Sequence, residues 1–159
     1  LINKLLLSEK IMEEENSIGK LKNRLINHKY EIRNCLNMIK SSGKKVLGYG
    51  ASTKGNILLH YCEITKEDIE FIGDLNPEKH TRFTPGTRIS IKSHDQIKKM
   101  KPDYLFVLIW HFRKEIIELE EEYINNGGKL IFPLPRLHIV DNSNYKFYLK
   151  SDFDDLAFS

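Results

Sequence analysis

Val46-Leu47-Gly48-Tyr49-Gly50-Ala51-Ser52-Thr53-Lys54-Gly55-Asn56 is the stretch whose reading decides the fold. Its apolar start has the texture of a buried first strand, and residues 53–62 carry apolar positions at helical spacing. A strand that enters a glycine-bearing turn and leaves as a helix lets backbone N–H groups and a helix dipole hold a phosphate. Gly48 and Gly50 suit that role because a Cβ would block close approach by a pyrophosphate. The third glycine of the dinucleotide fingerprint is absent: Thr53 occupies its position, and the next glycine is Gly55. Gly50 and Gly55 also have P-loop spacing, but Asn56-Ile57 replaces the required Lys-Ser/Thr, which removes any reason to expect ATP hydrolysis.

Upstream, residues 1–15 and 18–40 both repeat apolar residues at helical spacing, Leu21, Leu25, Ile32, Leu36 and Ile39 among them. Asn16-Ser17 reads as a break with Ser17 as N-cap, and Ser41-Ser42-Gly43 as the stop of the second helix. Residues 1–42 are therefore expected to be a helical arm that packs on the following domain or on a partner. From Lys44 onward short apolar runs alternate with helical stretches, which predicts a Rossmann-like, doubly wound α/β domain with a mostly parallel sheet over residues 43–137.

Within that domain residues 69–73 read as a second strand closing on Asp74, residues 75–88 as a long loop, and residues 89–91 as a short strand. Ser93-His94-Asp95-Gln96 has capping-box spacing. Residues 104–110 form an apolar run without alternation, as a strand buried on both faces requires. Phe112, Ile116, Leu119 and Tyr123 suggest a helical stripe, stopped by Gly127-Gly128 before a strand over residues 130–132. The core is expected to be complete by Pro135. In the extension, residues 138–159, a hairpin around Asp141-Asn142-Ser143-Asn144 precedes an acidic, aromatic tail from Ser151.

The 159 residues suit one core, and 40% hydrophobic with 30% charged residues is a soluble, globular balance. A net charge of +3, from 25 basic and 22 acidic residues, can favour a small anion but is no nucleic-acid-binding excess. No run is long enough to predict a membrane span. Cys35 and Cys62 lack zinc-site spacing and read as core residues. Without a secretory leader, a reducing cytoplasm fits best. The chain begins at Leu1 without an initiator Met, which suggests missing upstream sequence.

Lys54, with Ser52 and Thr53, can add a cation and hydroxyls to a phosphate site at the turn. Asp74 stands where such folds place an acid for ribose hydroxyls, and it equally suits an Asx turn with Asn76-Pro77. Thr84-Pro85-Gly86-Thr87 reads as a type II turn able to lie over a ligand. Trp110 and His111 fall at the carboxyl end of the fourth strand, where Trp110 can stack on a base or sugar. His111 is a weak candidate for a catalytic base, having no evident ionisable partner.

Together, residues 46–59, Asp74-Leu75-Asn76-Pro77-Glu78-Lys79, the Thr84 to Thr87 turn and residues 110–116 resemble the C-terminal domain of S-adenosylmethionine-dependent sugar C-methyltransferases. These are enzymes of deoxysugar and surface-polysaccharide pathways, and the likeness runs over residues 18–135. It implies a parent enzyme with an N-terminal zinc-binding domain, a central S-adenosylmethionine-binding domain and this domain helping to hold a nucleotide-diphosphate sugar. The implied substrate contacts are Gly48, Gly50, Ala51, Ser52, Lys54, Gly55, Asn56, Asp74, Asn76, Lys79, Thr84, Gly86, Thr87 and Trp110. No catalytic residue carries over. S-adenosylmethionine and zinc are expected in the other domains, so this domain is expected to bind neither and to be inactive alone. In the family, a carbanion formed beside a ketone attacks the methyl donor, and this domain would orient the sugar for it. The arm would then meet the upstream methyltransferase domain or form a homodimer. His80-Thr81 stand where the family commonly has a glycine, and the chain beyond Leu137 has no counterpart. Two other readings stay open: an NAD(P)-binding domain of an oxidoreductase, suggested by Gly48-x-Gly50 and Asp74, and a non-enzymatic interaction module working through its arm.

Overall fold

The computed structural model describes the backbone of residues 15–151 and the side chains of residues 18–151. One six-stranded sheet organises them, in the order β3-β2-β1-β4-β5-β6. Its strands are β1 (Val46–Tyr49), β2 (Phe71–Asp74), β3 (Ser90–Ser93), β4 (Tyr104–Val107), β5 (Lys129–Phe132) and β6 (His138–Val140). All pairings are parallel except β5 with β6. The chain builds outward from β1 to β3, then returns to the other side of β1 as β4. That reversal leaves a crevice at the carboxyl ends of β1 and β4, the place where open α/β sheets take their ligands. The Rossmann-like fold expected of the sequence is the one observed.

Both faces of the sheet are covered, which is why its central strands are continuously apolar rather than alternating. On one face α1 (Glu15–Ser41) and α2 (Thr53–Tyr61) bring Ile32, Leu36, Ile39, Leu58 and Leu59 against Ile72 and Phe106. On the other, α3 (His94–Lys99), α4 (Arg113–Leu119) and α5 (Glu121–Asn125) bring Ile97, Ile116, Ile117 and Ile124 against Leu47, Leu105 and Leu130. Each such side chain removed from water is worth about 1.5–3 kcal/mol, so these two layers carry most of the fold's drive.

The arm divides in two. Its second half is part of the core through Ile32, Leu36 and Ile39, and Arg33 Nη1 lies 2.7 Å from Asp68 Oδ2. In its first half the same helical row continues as Ile18, Leu21 and Leu25, all exposed. Gly43 ends the helix at φ +71°, and the Lys44 N–H donates back to Ile39 O at 3.2 Å.

Several expectations are corrected. Asn16 and Ser17 lie inside α1 and do not break it. The apolar run from Tyr104 is a strand only to Val107, because a 3-10 turn occupies Trp110–Phe112. The stripe through residue 123 is two helices joined at Glu120, with Phe112 and Leu119 exposed and Ile117 and Ile124 buried. The expected hairpin is a strand followed by a helix: β6 pairs with β5, and α6 (Tyr145–Lys150) returns to pack on α4. The core therefore extends past Pro135 to Val140 and Tyr145. His138 stacks between Phe132 and Tyr148, and burial lowers its pKa. The helix expected over residues 1–15 and the tail lie outside the described residues, apart from Glu15 and Ser151.

The capping box does form, with Ser93 Oγ accepting the Gln96 N–H and Gln96 Oε1 accepting the Ser93 N–H. It opens α3 so that His94 reaches Glu120, Nε2 to Oε1 at 2.8 Å, a buried pair with no sequence signal. Nearby Tyr49 has its hydroxyl pKa raised by burial and by Glu120.

The split of α1 has a measurable consequence. Ile32→Ala should cost ~3 kcal/mol in urea unfolding, as a buried large-to-small change does, whereas Leu21→Ala on the exposed half should change stability by less than ~0.5 kcal/mol.

Candidate functional site

The first strand passes into the first helix under tight local constraints. Gly50 takes φ +80°, a conformation that favours glycine, and its N–H donates to Gly73 O at 2.7 Å. Ser52 caps α2: its Oγ accepts the Gly55 N–H at 2.9 Å and donates to Leu108 O at 3.0 Å, tying the helix to the end of β4. The N–H groups of Thr53 and Lys54 have no intrahelical acceptor at this first turn and leave the helix's positive end turned toward the crevice.

Gly48 and Gly55 are packing glycines. A Cβ on Gly48 would sit 2.5 Å from Ile72 Cγ1, inside the sheet layer and away from any ligand. A Cβ on Gly55 would sit 2.6 Å from Leu108 Cβ and 2.9 Å from Leu108 O. Gly55 therefore provides the close helix–strand approach that the fingerprint's third glycine usually provides.

Asp74, at the end of β2, is buried and bonded to its own chain. Its Oδ2 accepts the Ala51 N–H at 2.7 Å and lies 3.0 Å from Lys79 Nζ, while Oδ1 accepts the Asn76 N–H at 2.8 Å. Lys79 Nζ also donates to Ala51 O at 2.8 Å, so both polar groups of Ala51 are held by this ion pair. The Asx turn read from the sequence is present. Asn76 continues it by accepting the Glu78 N–H and capping a 3-10 turn over Pro77–Lys79.

Beyond that turn the loop doubles back. Thr84 and Thr87 join hydroxyls at 2.6 Å, and Thr84 Oγ1 accepts the Ile89 N–H at 2.8 Å. Gly86 has φ +74°. Thr81, one of the two residues expected to stand at a glycine position, has φ +66°, so it occupies a left-handed position without the residue best suited to it.

These pieces enclose a cleft of about 230 Å³ lined by Ala51, Ser52, Thr53, Asn56, Leu59, Lys79, Thr84, Pro85, Ile91 and Leu108. Five of the substrate contacts implied by the resemblance line it, Ala51, Ser52, Asn56, Lys79 and Thr84, together with Thr53, read beside Ser52 as a hydroxyl donor. Lys54 is exposed on the first turn of α2 and does not line the cleft, so Lys79 is the cation within it. Gly86 and Thr87 belong to the same turn as Thr84 but do not line the cleft. Trp110 packs against both core layers, and exposed His111 has ring contacts with Trp110 and Phe112. The apolar lining from Leu59, Ile91 and Leu108 went unread, because residues that look like plain core in sequence become cleft wall only where the strands end.

Residues 2–135 match a family described as the C-methyltransferase C-terminal domain. Over 110 residues the chain is 38% identical to the C-methyltransferase NovU of Streptomyces niveus, a stretch that is 69% of this chain and 26% of that protein. The chain thus spans about a quarter of that relative's length. It belongs to the C-methyltransferase C-terminal domain family.

Two substitutions test the local geometry. Gly55→Ala should lose ~2 kcal/mol in thermal or urea unfolding because backbone Leu108 O cannot move aside. Thr81→Gly should raise stability by up to ~1 kcal/mol, the left-handed strain relieved less the added chain entropy.

Proposed function

We propose, from that membership, that this domain holds the diphosphate end of a nucleotide sugar for a C-methylation carried out on another domain. The observation that carries the reading is the cleft itself, where Lys79, the first turn of α2 and the Thr84-Pro85 turn meet at the carboxyl edge of the sheet. A cation beside uncapped helix N–H groups is suited to a phosphate. At about 230 Å³ the cleft is smaller than the ~300–1,000 Å³ that encloses a whole ligand, so it suits one end of a substrate whose remainder is covered elsewhere.

The chemistry lies outside this cleft. On this reading S-adenosylmethionine and zinc belong to the remainder of the longer enzyme. His111 has no ionisable partner in the observed contacts. The domain's contribution is to orient the sugar, removing part of the entropic barrier to the reaction. In that arrangement the exposed Ile18, Leu21 and Leu25 row would meet the methyltransferase domain or a second copy. Among the described residues no helix is long and apolar enough to cross a membrane. A dinucleotide reading is disfavoured because both Asp74 oxygens already accept hydrogen bonds from Ala51, Asn76 and Lys79.

Calorimetric titration of a thymidine-diphosphate sugar should show binding to the wild-type chain. Lys79→Ala should weaken it about tenfold, ~1.4 kcal/mol, and Lys54→Ala less than about twofold. No binding by the wild type, or equal binding by Lys79→Ala, would overturn the assignment. Micromolar binding of NAD in its place would favour an oxidoreductase.

A further inference from the structure

The two walls of the cleft come from chain segments far apart in sequence, and one side chain outside the lining joins them. His60 lies on α2 one helical turn beyond Asn56, next to Leu59, both of which line the cleft. Its imidazole Nε2 is 3.0 Å from Pro85 O, in the Thr84 to Thr87 turn that forms the opposite wall. A carbonyl only accepts, so the ring carries its proton on Nε2 here.

The fit beneath the turn is close. A Cβ on Gly86 would stand 2.1 Å from His60 Cε1 and 2.4 Å from Nε2, so the ring occupies the space that any other residue at 86 would need. The glycine that allows φ +74° therefore also admits the imidazole. Across the turn, the Thr84–Thr87 hydroxyl pair and the Ile89 N–H to Thr84 Oγ1 bond brace the strand side. His60 is exposed, so water can replace its bond to Pro85 at little cost to overall stability. What water cannot replace is a rigid ring of fixed length between helix and turn.

We propose that His60 is a positioning residue, a strut that sets the separation of Thr84 and Pro85 from the first turn of α2 and so fixes the width of the cleft. The proposal rests on the reading of this cleft as a ligand site. Removing the ring would leave the turn held from the strand side alone, free to swing on its glycine, and the ligand would have to order it on binding.

Hydrogen exchange and titration of a thymidine-diphosphate sugar, both on the whole chain, test it together. In His60→Ala the Arg88 and Ile89 amides, which donate to Thr84 O and Oγ1, should exchange about tenfold faster, with the thermal midpoint unchanged. Affinity for the nucleotide sugar should fall about fivefold. His60→Gln, whose Nε2 amide reaches a similar position, should restore both. Unchanged exchange at Arg88 and Ile89 in His60→Ala, full affinity despite faster exchange, or no recovery with Gln would each overturn the strut. A wild-type chain that binds no nucleotide sugar would end the ligand reading, and the strut would then stand or fall on the exchange rates alone.

Discussion

Asp74 Oδ2 holds the Ala51 N–H at 2.7 Å and Lys79 Nζ at 3.0 Å, and the arrangement of the sheet's carboxyl edge depends on this buried carboxylate. Ala51 belongs to the turn after β1, Asp74 to the end of β2, and Lys79 to the loop beyond it. The ion pair joins all three, with Lys79 reaching on to Ala51 O. A buried carboxylate is tolerated only when its charge and lone pairs are met, and here two backbone N–H groups and an ammonium meet them. That satisfaction locks the Gly50–Ala51 turn and delivers Lys79 to the cleft.

A second constraint acts from the other side of the switch point. Ser52 Oγ bonds to Leu108 O while Gly55 lets α2 close on Leu108, so the helix start is fixed against β4 as firmly as the preceding turn is fixed against β2. The helix N-terminus is thereby held rigid from two directions, and a preorganised donor set binds an anion without first being ordered. The outer wall, from Thr84 to Thr87, is tied to the strand side by the Thr84 N–H to Ile89 O and Arg88 N–H to Thr84 O bonds and by the Thr84–Thr87 hydroxyl pair, and to α2 by one imidazole.

This division of rigidity matches a domain that presents one part of a substrate to chemistry elsewhere. The buried half of α1 completes the core, and the exposed half carries the same apolar row onward, with Leu25 lining a groove beside Leu134 and Leu137. The relative of which this chain spans about a quarter is a C-methyltransferase, and the proposed holding role needs the remainder of such an enzyme for methyl transfer.

The sequence by itself determined the alternation of strands and helices, the glycine turn between β1 and α2, the capping box at Ser93 and the left-handed stop at Gly43. Each rests on short-range rules: side-chain periodicity, capping hydroxyls and the φ range open to glycine. Part of the proposed site was legible for the same reason, since Ser52, Asp74 and Thr84 stand in recognisable local motifs, whereas Ala51, Asn56 and Lys79 entered only through the family resemblance. Tertiary structure alone decided which lysine enters the cleft, because Lys54 and Lys79 are equally cationic and only the Asp74 carboxylate draws one of them inward. It also turned the expected hairpin after His138 into a strand and a helix: β5 offered an open edge, and α4 offered an apolar surface for Tyr145. The pairing of His60 with Pro85 and of His94 with Glu120 could not be read along the chain, since each joins residues at least 25 apart through contacts that no local pattern encodes.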